Sequence, residues 1–355
     1  MKIASIVGAR PQFIKLAPLS KELRKNHREV LVDTGQHYDD EMAGNFFHEL
    51  KLPEPDHSLG IGSGNHGEQT GKMLIEIEKV LVEEEPALVV VFGDTNSTLA
   101  GALAAAKLEI PVAHVEAGLR SYDRSMPEEI NRVLADHVSS LLFCPTETAK
   151  NNLKLDGLTK GVHVVGDVML DALDMSRAAA EKHSKVLDQF KLKKGEYMLL
   201  TVHRPSNTDV KENLRSILKG IGDSDLRTVF PVHPRTAKML KEHGLEKAVP
   251  GNVVLTKPLS HMDTIWLEAN ASVVLTDSGG VQKEAYILGT PCITLRTNTE
   301  WVETVNAGWN VLVGADAKKI HERIVHFNPP RYRPQAFGPP GASGRIAKIV
   351  DEFLS

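Results

Sequence analysis

Three carboxylates in the first half of the sequence stand where short apolar runs end or helices begin. Asp94 follows Leu88–Phe92 in Gly93-Asp94-Thr95-Asn96-Ser97, and Glu116 follows Val112–Val115 in Glu116-Ala117-Gly118-Leu119-Arg120. Glu128 opens Pro127-Glu128-Glu129-Ile130-Asn131-Arg132. A carboxylate flanked by apolar residues, as Glu116 is, costs free energy unless it is paired. Such groups are the raw material of general acid–base chemistry. Each has a plainer reading beside this one. Asp94 suits a helix N-cap. Pro127 suits the first helical turn, which puts Glu128 and Arg132 at i, i+4 as a surface ion pair.

Groups suited to phosphate stand at equivalent places. Gly8-Ala9-Arg10-Pro11-Gln12, with Lys15 beyond, follows the first apolar run. A tight turn, free helix N–H groups and a guanidinium fork all favour an anion there, although a turn with a surface arginine is the plainer alternative. In the second half, His203-Arg204 follows Val202, His233-Pro234-Arg235 follows Val232, and Asp277-Ser278-Gly279-Gly280-Val281-Gln282-Lys283-Glu284 follows Thr276. Ser278, Gly279 and Gly280 at a helix start make a phosphate cradle, or else a close helix–sheet contact. Glu284, one turn further on, can accept hydrogen bonds from ribose hydroxyls.

These residues need elements to hold them. Ile3–Val7, Val30–Thr34, Leu88–Phe92, Val112–Val115, Leu141–Phe143 and His163–Val165 read as strands with helices between them. Six more strands follow at Tyr197–Val202, Thr228–Val232, Val253–Thr256, Val273–Thr276, Cys292–Leu295 and Val311–Val313. Alternation of this kind predicts α/β architecture with two doubly wound parallel sheets. The charged helical stretch Leu170–Lys194 separates them. The expected domains are 1–170, carrying the carboxylates, and 171–335, binding the nucleotide. A final helix over Arg345–Phe353, within 336–355, follows a Pro- and Gly-rich crossover and is expected to return to the first domain. Ligands bind at the carboxyl ends of strands in such sheets. Asp94, Glu116, Glu128 and His203 therefore fit a cleft with phosphate-binding elements on one wall and acid–base groups on the other.

The 355 residues suit two domains. A net charge of −4 without a basic block argues against a nucleic-acid partner. No apolar stretch reaches membrane-helix length, so no membrane partner is expected. Cys144 and Cys292 lie in apolar surroundings and read as small buried hydrophobes. With an N-terminus that opens a strand rather than a signal peptide, the sequence predicts a cytoplasmic protein. The G-x-G-x-x-G and P-loop signatures are missing, and the 15 histidines form no zinc pattern. No metal or cofactor is expected.

GARPQFIK, TGQHYDDEM, GDTNSTLAGALAA, HVEAGLRS, MPEEINR and TDSGGVQKEA, in this order and spacing, resemble the non-hydrolysing UDP-N-acetylglucosamine 2-epimerase family over essentially the whole chain. The resemblance implies a glycosyltransferase-B-like pair of Rossmann domains, a homodimer, and a UDP-sugar substrate. By position, it makes Asp94, Glu116 and Glu128 the acid–base carboxylates and His203 the essential histidine near the phosphates. Arg10, Ser278, Gly279 and Gly280 then hold the diphosphate, Glu284 holds the ribose, and Lys15 and Arg132 organise the site. The intact Glu116–Arg120 stretch implies that UDP is retained on the product. Gln36-His37 matches a segment that lines a second substrate site in bacterial relatives, but Tyr38-Asp39-Asp40 departs from their pattern.

Two further segments depart from the family. Arg204-Pro205-Ser206-Asn207 stands for Arg-x-Glu-Asn, and Thr299-Glu300-Trp301-Val302-Glu303 stands for Thr-Glu-Arg-Pro-Glu. The second variant also resembles epimerases acting on a UDP-diacetamido-uronate, which is the alternative substrate. A glycosyltransferase using a UDP-sugar is the rival from another class. It is weakened by three carboxylates where an acceptor would sit.

Overall fold

A computed structural model of the chain describes residues 1–36, 50 and 52–355. The described residues form two units: Met1–Met175 together with Phe337–Ser355, and Ser176–Ala336. The boundary falls inside a helix, Val168–His183.

In the first unit, β1 (Lys2–Val7), β2 (Arg28–Asp33), β3 (His57–Ser58), β4 (Leu88–Phe92), β5 (Val112–Val115), β6 (Leu141–Cys144) and β7 (Val162–Val164) form one sheet. Its order is β3-β2-β1-β4-β5-β6-β7, and every pair is parallel. All five residues of β4 are buried, as expected of a strand covered on both faces. The helix Asn96–Lys107, NSTLAGALAAAK, explains how it lies so close to the sheet. A Cβ on Gly101 would stand 2.9 Å from Ile6 Cδ1. Ala100, Ala102, Ala104 and Ala105 have no exposed surface. Small residues around much of the helix let neighbouring backbones approach without a void.

The crossover segment closes on this unit. The helix Ala342–Leu354 packs against Arg10–Leu23, and Asp351 accepts a hydrogen bond from Asn26 Nδ2 at 2.8 Å. The Arg345 guanidinium donates to the Val165 carbonyl at 2.8 Å.

In the second unit, β8 (Tyr197–Thr201), β9 (Arg227–Pro231), β10 (Val253–Thr256), β11 (Val273–Thr276), β12 (Cys292–Thr294) and β13 (Asn310–Leu312) form a sheet of order β10-β9-β8-β11-β12-β13, again all parallel. Its core includes Met198, Leu200, Phe230, Leu275 and Ile293 against Leu214, Ile217 and Ile320. In both sheets the strand order reverses direction at one place, β1/β4 in the first and β8/β11 in the second. That switch point is where loops diverge and leave a crevice for ligand. The turns after β1, β4, β8 and β11 carry many of the residues singled out above. Among the described residues, no helix is long and apolar enough to cross a membrane.

Gly118, two residues past Glu116, shows how tightly these turns are built. Its φ is +79° and a Cβ would stand 2.3 Å from the Ala149 carbonyl oxygen. Both the backbone conformation and the space exclude a side chain. Gly118→Ala is expected to lower unfolding free energy by at least about 2 kcal/mol, read from urea denaturation. A stability within error of wild type would show that the turn relaxes freely.

Candidate functional site

The turn after β1 is tied to the turn after β4 by one side chain. Gln12 is buried on the first turn of its helix. Its Oε1 accepts from the N–H groups of Gly8 (2.9 Å) and Ala9 (3.0 Å), and its Nε2 donates to the Phe92 carbonyl at 2.8 Å and to Thr98 Oγ1 at 3.1 Å. Arg10 opens this helix at an exposed position. Gln36 joins the same region, its Oε1 accepting from Ser97 N at 3.0 Å and Ser97 Oγ at 2.7 Å. His37 and the residues to Asp40 lie outside the described residues.

Four of the predicted residues meet at the carboxyl ends of β4 and β5. Lys15 reaches back from the first helix to form an ion pair with Glu116, both side chains largely buried. Arg132 NH2 donates to Asp94 Oδ2 at 2.5 Å. Gly93 lies beside the first pair: a Cβ there would stand 3.4 Å from Glu116 Oε2 and 3.6 Å from Lys15 Nζ. Glu116 itself holds a left-handed φ of +75°, which a side chain rarely adopts. Non-glycine residues in that region cost about 1–3 kcal/mol and gather at functional sites. Burial pushes the Asp94 carboxyl above the usual range. Arg132 and Lys15 pull it down, and Glu116 adds to the rise. The result is a pair of carboxylates, each with its own cation, close enough to feel one another's charge.

Asp94 is not the helix cap. Thr95 takes that place, its hydroxyl accepting from Thr98 N while Thr98 Oγ1 accepts from Thr95 N. The Asp94 side chain is thereby left for Arg132. Glu128 also differs from the i, i+4 reading. It is exposed, and among the described residues Arg132 pairs with Asp94 and with Glu129 at i, i−3 (3.1 Å) rather than with Glu128. Glu129 faces inward, accepting from Ser121 N, Ser121 Oγ and Tyr122 N. Glu128 stays one turn from Arg132 on the same helix face, at an exposed position.

Several residues that hold this arrangement escaped the sequence reading. His114, in β5, has no exposed surface and sits 2.7 Å from both Asp136 Oδ1 and the Gly93 carbonyl. Asp136 also pairs with Arg120 at 2.7 Å. The available signal was Asp136 itself, a carboxylate beside Ala135 on the helix face that also carries Glu129, two turns earlier. An acid on an inward face must be paired.

In the second unit, the buried Asp277 is the organising group. Its carboxylate accepts from His203 N (3.0 Å), Arg204 N (3.0 Å) and Asn207 Nδ2 (3.1 Å), fixing the turn after β8. His203 lies 5.7 Å from His233, centroid to centroid. Burial holds its imidazole below the ordinary value. Asp277 opposes this, and His233 and Arg204 add to the lowering. Ser278 is the N-cap of Gly279–Leu288 but makes no side-chain cap bond, so its hydroxyl is not spent on the helix. The helix start has no β-carbon on its first two residues. A Cβ on Gly279 would lie 3.3 Å from Glu300 Oε2. Glu284 follows on that helix, electrostatically coupled to buried Glu268. Trp301, one of the departures noted above, donates its indole N–H to the Gly279 carbonyl at 2.8 Å. A cavity of about 930 Å³ opens nearby between Asn207, Arg215, Arg296 and Lys318, and none of Ser278, Gly279, Gly280 or Glu284 lines it.

The chain is similar to known proteins over nearly its whole length. The profile of the family described as UDP-N-acetylglucosamine 2-epimerase matches residues 21–351. The chain is 54% identical over 357 residues to a UDP-N-acetylglucosamine 2-epimerase homolog of Methanococcus maripaludis, covering 99% of each chain. It is 45% identical over 360 residues to the UDP-2,3-diacetamido-2,3-dideoxy-D-glucuronate 2-epimerase of Pseudomonas aeruginosa, again with 99% of each covered. The crystal structure of Methanocaldococcus jannaschii UDP-GlcNAc 2-epimerase, in complex with UDP-GlcNAc and UDP, superposes with a TM-score of 0.88 at 49% identity, over 99% of this chain and 100% of that one. The chain belongs to the UDP-N-acetylglucosamine 2-epimerase family, a family of isomerases.

The Asp94–Arg132 pair makes a directional prediction. Removing a neighbouring cation disfavours the charged carboxylate, so a higher pH is needed to ionise it. In Arg132→Met the acidic limb of the pH–rate profile is expected to move to higher pH. An unmoved limb would show that Asp94 ionisation does not govern turnover.

Proposed function

We propose that the protein interconverts UDP-N-acetylglucosamine and UDP-N-acetylmannosamine without added cofactor, retaining UDP on the product. The observation that carries this reading is the grouping of Lys15–Glu116 and Arg132–Asp94 at the carboxyl ends of β4 and β5, in a chain of this family.

The carbon-2 proton of the sugar is not α to a carbonyl, so direct deprotonation is unattractive. Elimination is the more accessible route. A carboxylate takes the carbon-2 proton, the C–H electrons form the carbon-1–carbon-2 double bond, and UDP leaves carbon 1 with the bonding pair. The 2-acetamidoglycal is then attacked by UDP at carbon 1 as a proton reaches carbon 2 from the other face. Two faces call for two acid–base positions, which Asp94, Glu116 and Glu128 supply between them as a set. Arg10, His203 and the helix start at Ser278, Gly279 and Gly280 stabilise charge on the departing diphosphate, and Glu284 binds the ribose. A mostly neutral His203 serves as a hydrogen-bond donor and gains basicity when the diphosphate arrives. By the same family resemblance, the enzyme is a cytoplasmic homodimer that supplies an N-acetylated UDP-sugar for polysaccharide synthesis.

A second reading, a UDP-diacetamido-uronate as substrate, is favoured by Trp301 within Thr299–Glu303 and by the 45% identity to the Pseudomonas aeruginosa enzyme. One experiment separates the two. Purified protein is given each UDP-sugar alone and the products are identified by NMR. Formation of UDP-N-acetylmannosamine from UDP-N-acetylglucosamine is expected. Turnover of the uronate alone would select the second reading, and release of free sugar with UDP would indicate hydrolysis.

A further inference from the structure

We propose that His114 is a positioning residue for the epimerisation: held between Asp136 and the Gly93 carbonyl, it fixes the turn that presents Asp94 and ties that turn to the elements carrying Glu116, Glu128 and Arg132. This rests on the epimerase reading above.

The geometry defines the state of the ring. Its Nδ1 lies 2.7 Å from Asp136 Oδ1 and its Nε2 lies 2.7 Å from the Gly93 carbonyl oxygen. A backbone carbonyl has no proton to give, and Asp136, beside Arg120, is a carboxylate. Both ring nitrogens therefore donate, and the buried ring is an imidazolium. Burial is the largest single effect and alone would discharge it, but Asp136, the Gly93 carbonyl and Asp94 together outweigh burial, and its basicity is raised. The charged groups around it are Asp136 on the helix Pro127–Val138, Arg120 beyond β5 with Asp156 behind it at 2.7 Å, and Asp94 beyond β4. Burial, with Asp136 adding to it, pushes the Cys144 thiol in β6 up to about 12, so it stays neutral.

The bonds of this network fall on the elements that carry the proposed acid–base groups. Gly93 immediately precedes Asp94, and the next carbonyl, that of Asp94, accepts from Asn131 Nδ2 at 3.0 Å. Two consecutive carbonyls are thus gripped, one by His114 and one by Asn131, while Arg132 holds the Asp94 carboxylate. On its other side, Asp136 accepts from Gly118 N at 3.2 Å, two residues past Glu116. Asp136 lies on the same helix as Glu128, Asn131 and Arg132. Packing alone does not need a charge at position 114. A neutral amide could fill the space, but its single nitrogen could not reach both Asp136 and the Gly93 carbonyl, which meet two different nitrogens of the ring. By reciprocity, the imidazolium favours the ionised form of Asp94.

Two measurements test this. The first is a long-range ¹H–¹⁵N spectrum of the wild-type protein, labelled at histidine nitrogens, at about pH 8, above the ordinary histidine range. One ring with both nitrogens protonated is expected, and its absence would overturn the proposal whether or not any variant folds. The second is kinetic, with turnover by wild type on the UDP-sugar as the control for the underlying reading. His114→Ala is expected to lower kcat by about 100-fold, the scale of a misplaced catalytic group, with KM close to wild type. Its acidic limb should shift to higher pH, and His114→Gln, whose amide nitrogen can reach one of the two acceptors without the charge, should recover part of kcat. Wild-type turnover in a folded variant would sink the proposal. So would a loss of kcat matching only the unfolded fraction, with the pH limb unmoved.

Discussion

A buried carboxylate that stays ionised has to be saturated with donors, and in both units that requirement shapes the turns at the sheet's carboxyl edge. Asp136 and Asp277 have no exposed surface. An isolated charge in such a place would cost several kcal/mol. Asp136 meets the demand with the His114 ring, the Arg120 guanidinium and Gly118 N. Asp277 meets it with two consecutive backbone N–H groups and the Asn207 amide. Each carboxylate thereby drags a turn into one conformation. Glu129 repeats the device at a smaller scale, gathering Ser121, Tyr122 and Arg132. Buried ion pairs are weak evidence for stability, because the Coulombic gain is offset by desolvation. Their clustering beside the switch point of each sheet instead points to placement.

Placement has a chemical consequence. Asp94 and Glu116 each hold a cation, yet their exposure differs: the Glu116 side chain is 8% exposed and that of Asp94 30%. Two carboxylates in unlike surroundings can occupy unlike protonation roles during one reaction. Glu128 stands apart, exposed in the first turn of its helix. Three acids in three environments suit a reaction that must remove a proton and deliver one.

The strands were legible because a buried parallel strand is a short, β-branched, apolar run. Leu88–Phe92, Val112–Val115, Val253–Thr256 and Val273–Thr276 have the same ends in sequence and structure. The edge strand His57–Ser58 was not legible, since two polar-flanked residues carry no period. Which residues matter at the strand ends was also readable. What each touches was not. Asp94 suited an N-cap by type, but Thr95, with Thr98 three residues on, forms the capping box and frees it. Glu128 and Glu129 are equivalent in sequence, and only the direction of the helix decides that Glu129 turns inward. His114 hid inside a strand pattern, where an alternating polar residue carries no sign of a partner on a helix 22 residues away.

If a first-unit carboxylate removes the carbon-2 proton of the sugar, as proposed, a different proton returns. The direct measurement is incubation of the enzyme with UDP-N-acetylglucosamine in deuterated water, with no acceptor and no cofactor, followed by NMR of both UDP-sugars. Deuterium is expected at carbon 2 of the UDP-N-acetylmannosamine formed, and of the recovered substrate as the reaction reverses. Epimerisation that leaves the original hydrogen at carbon 2 would contradict it.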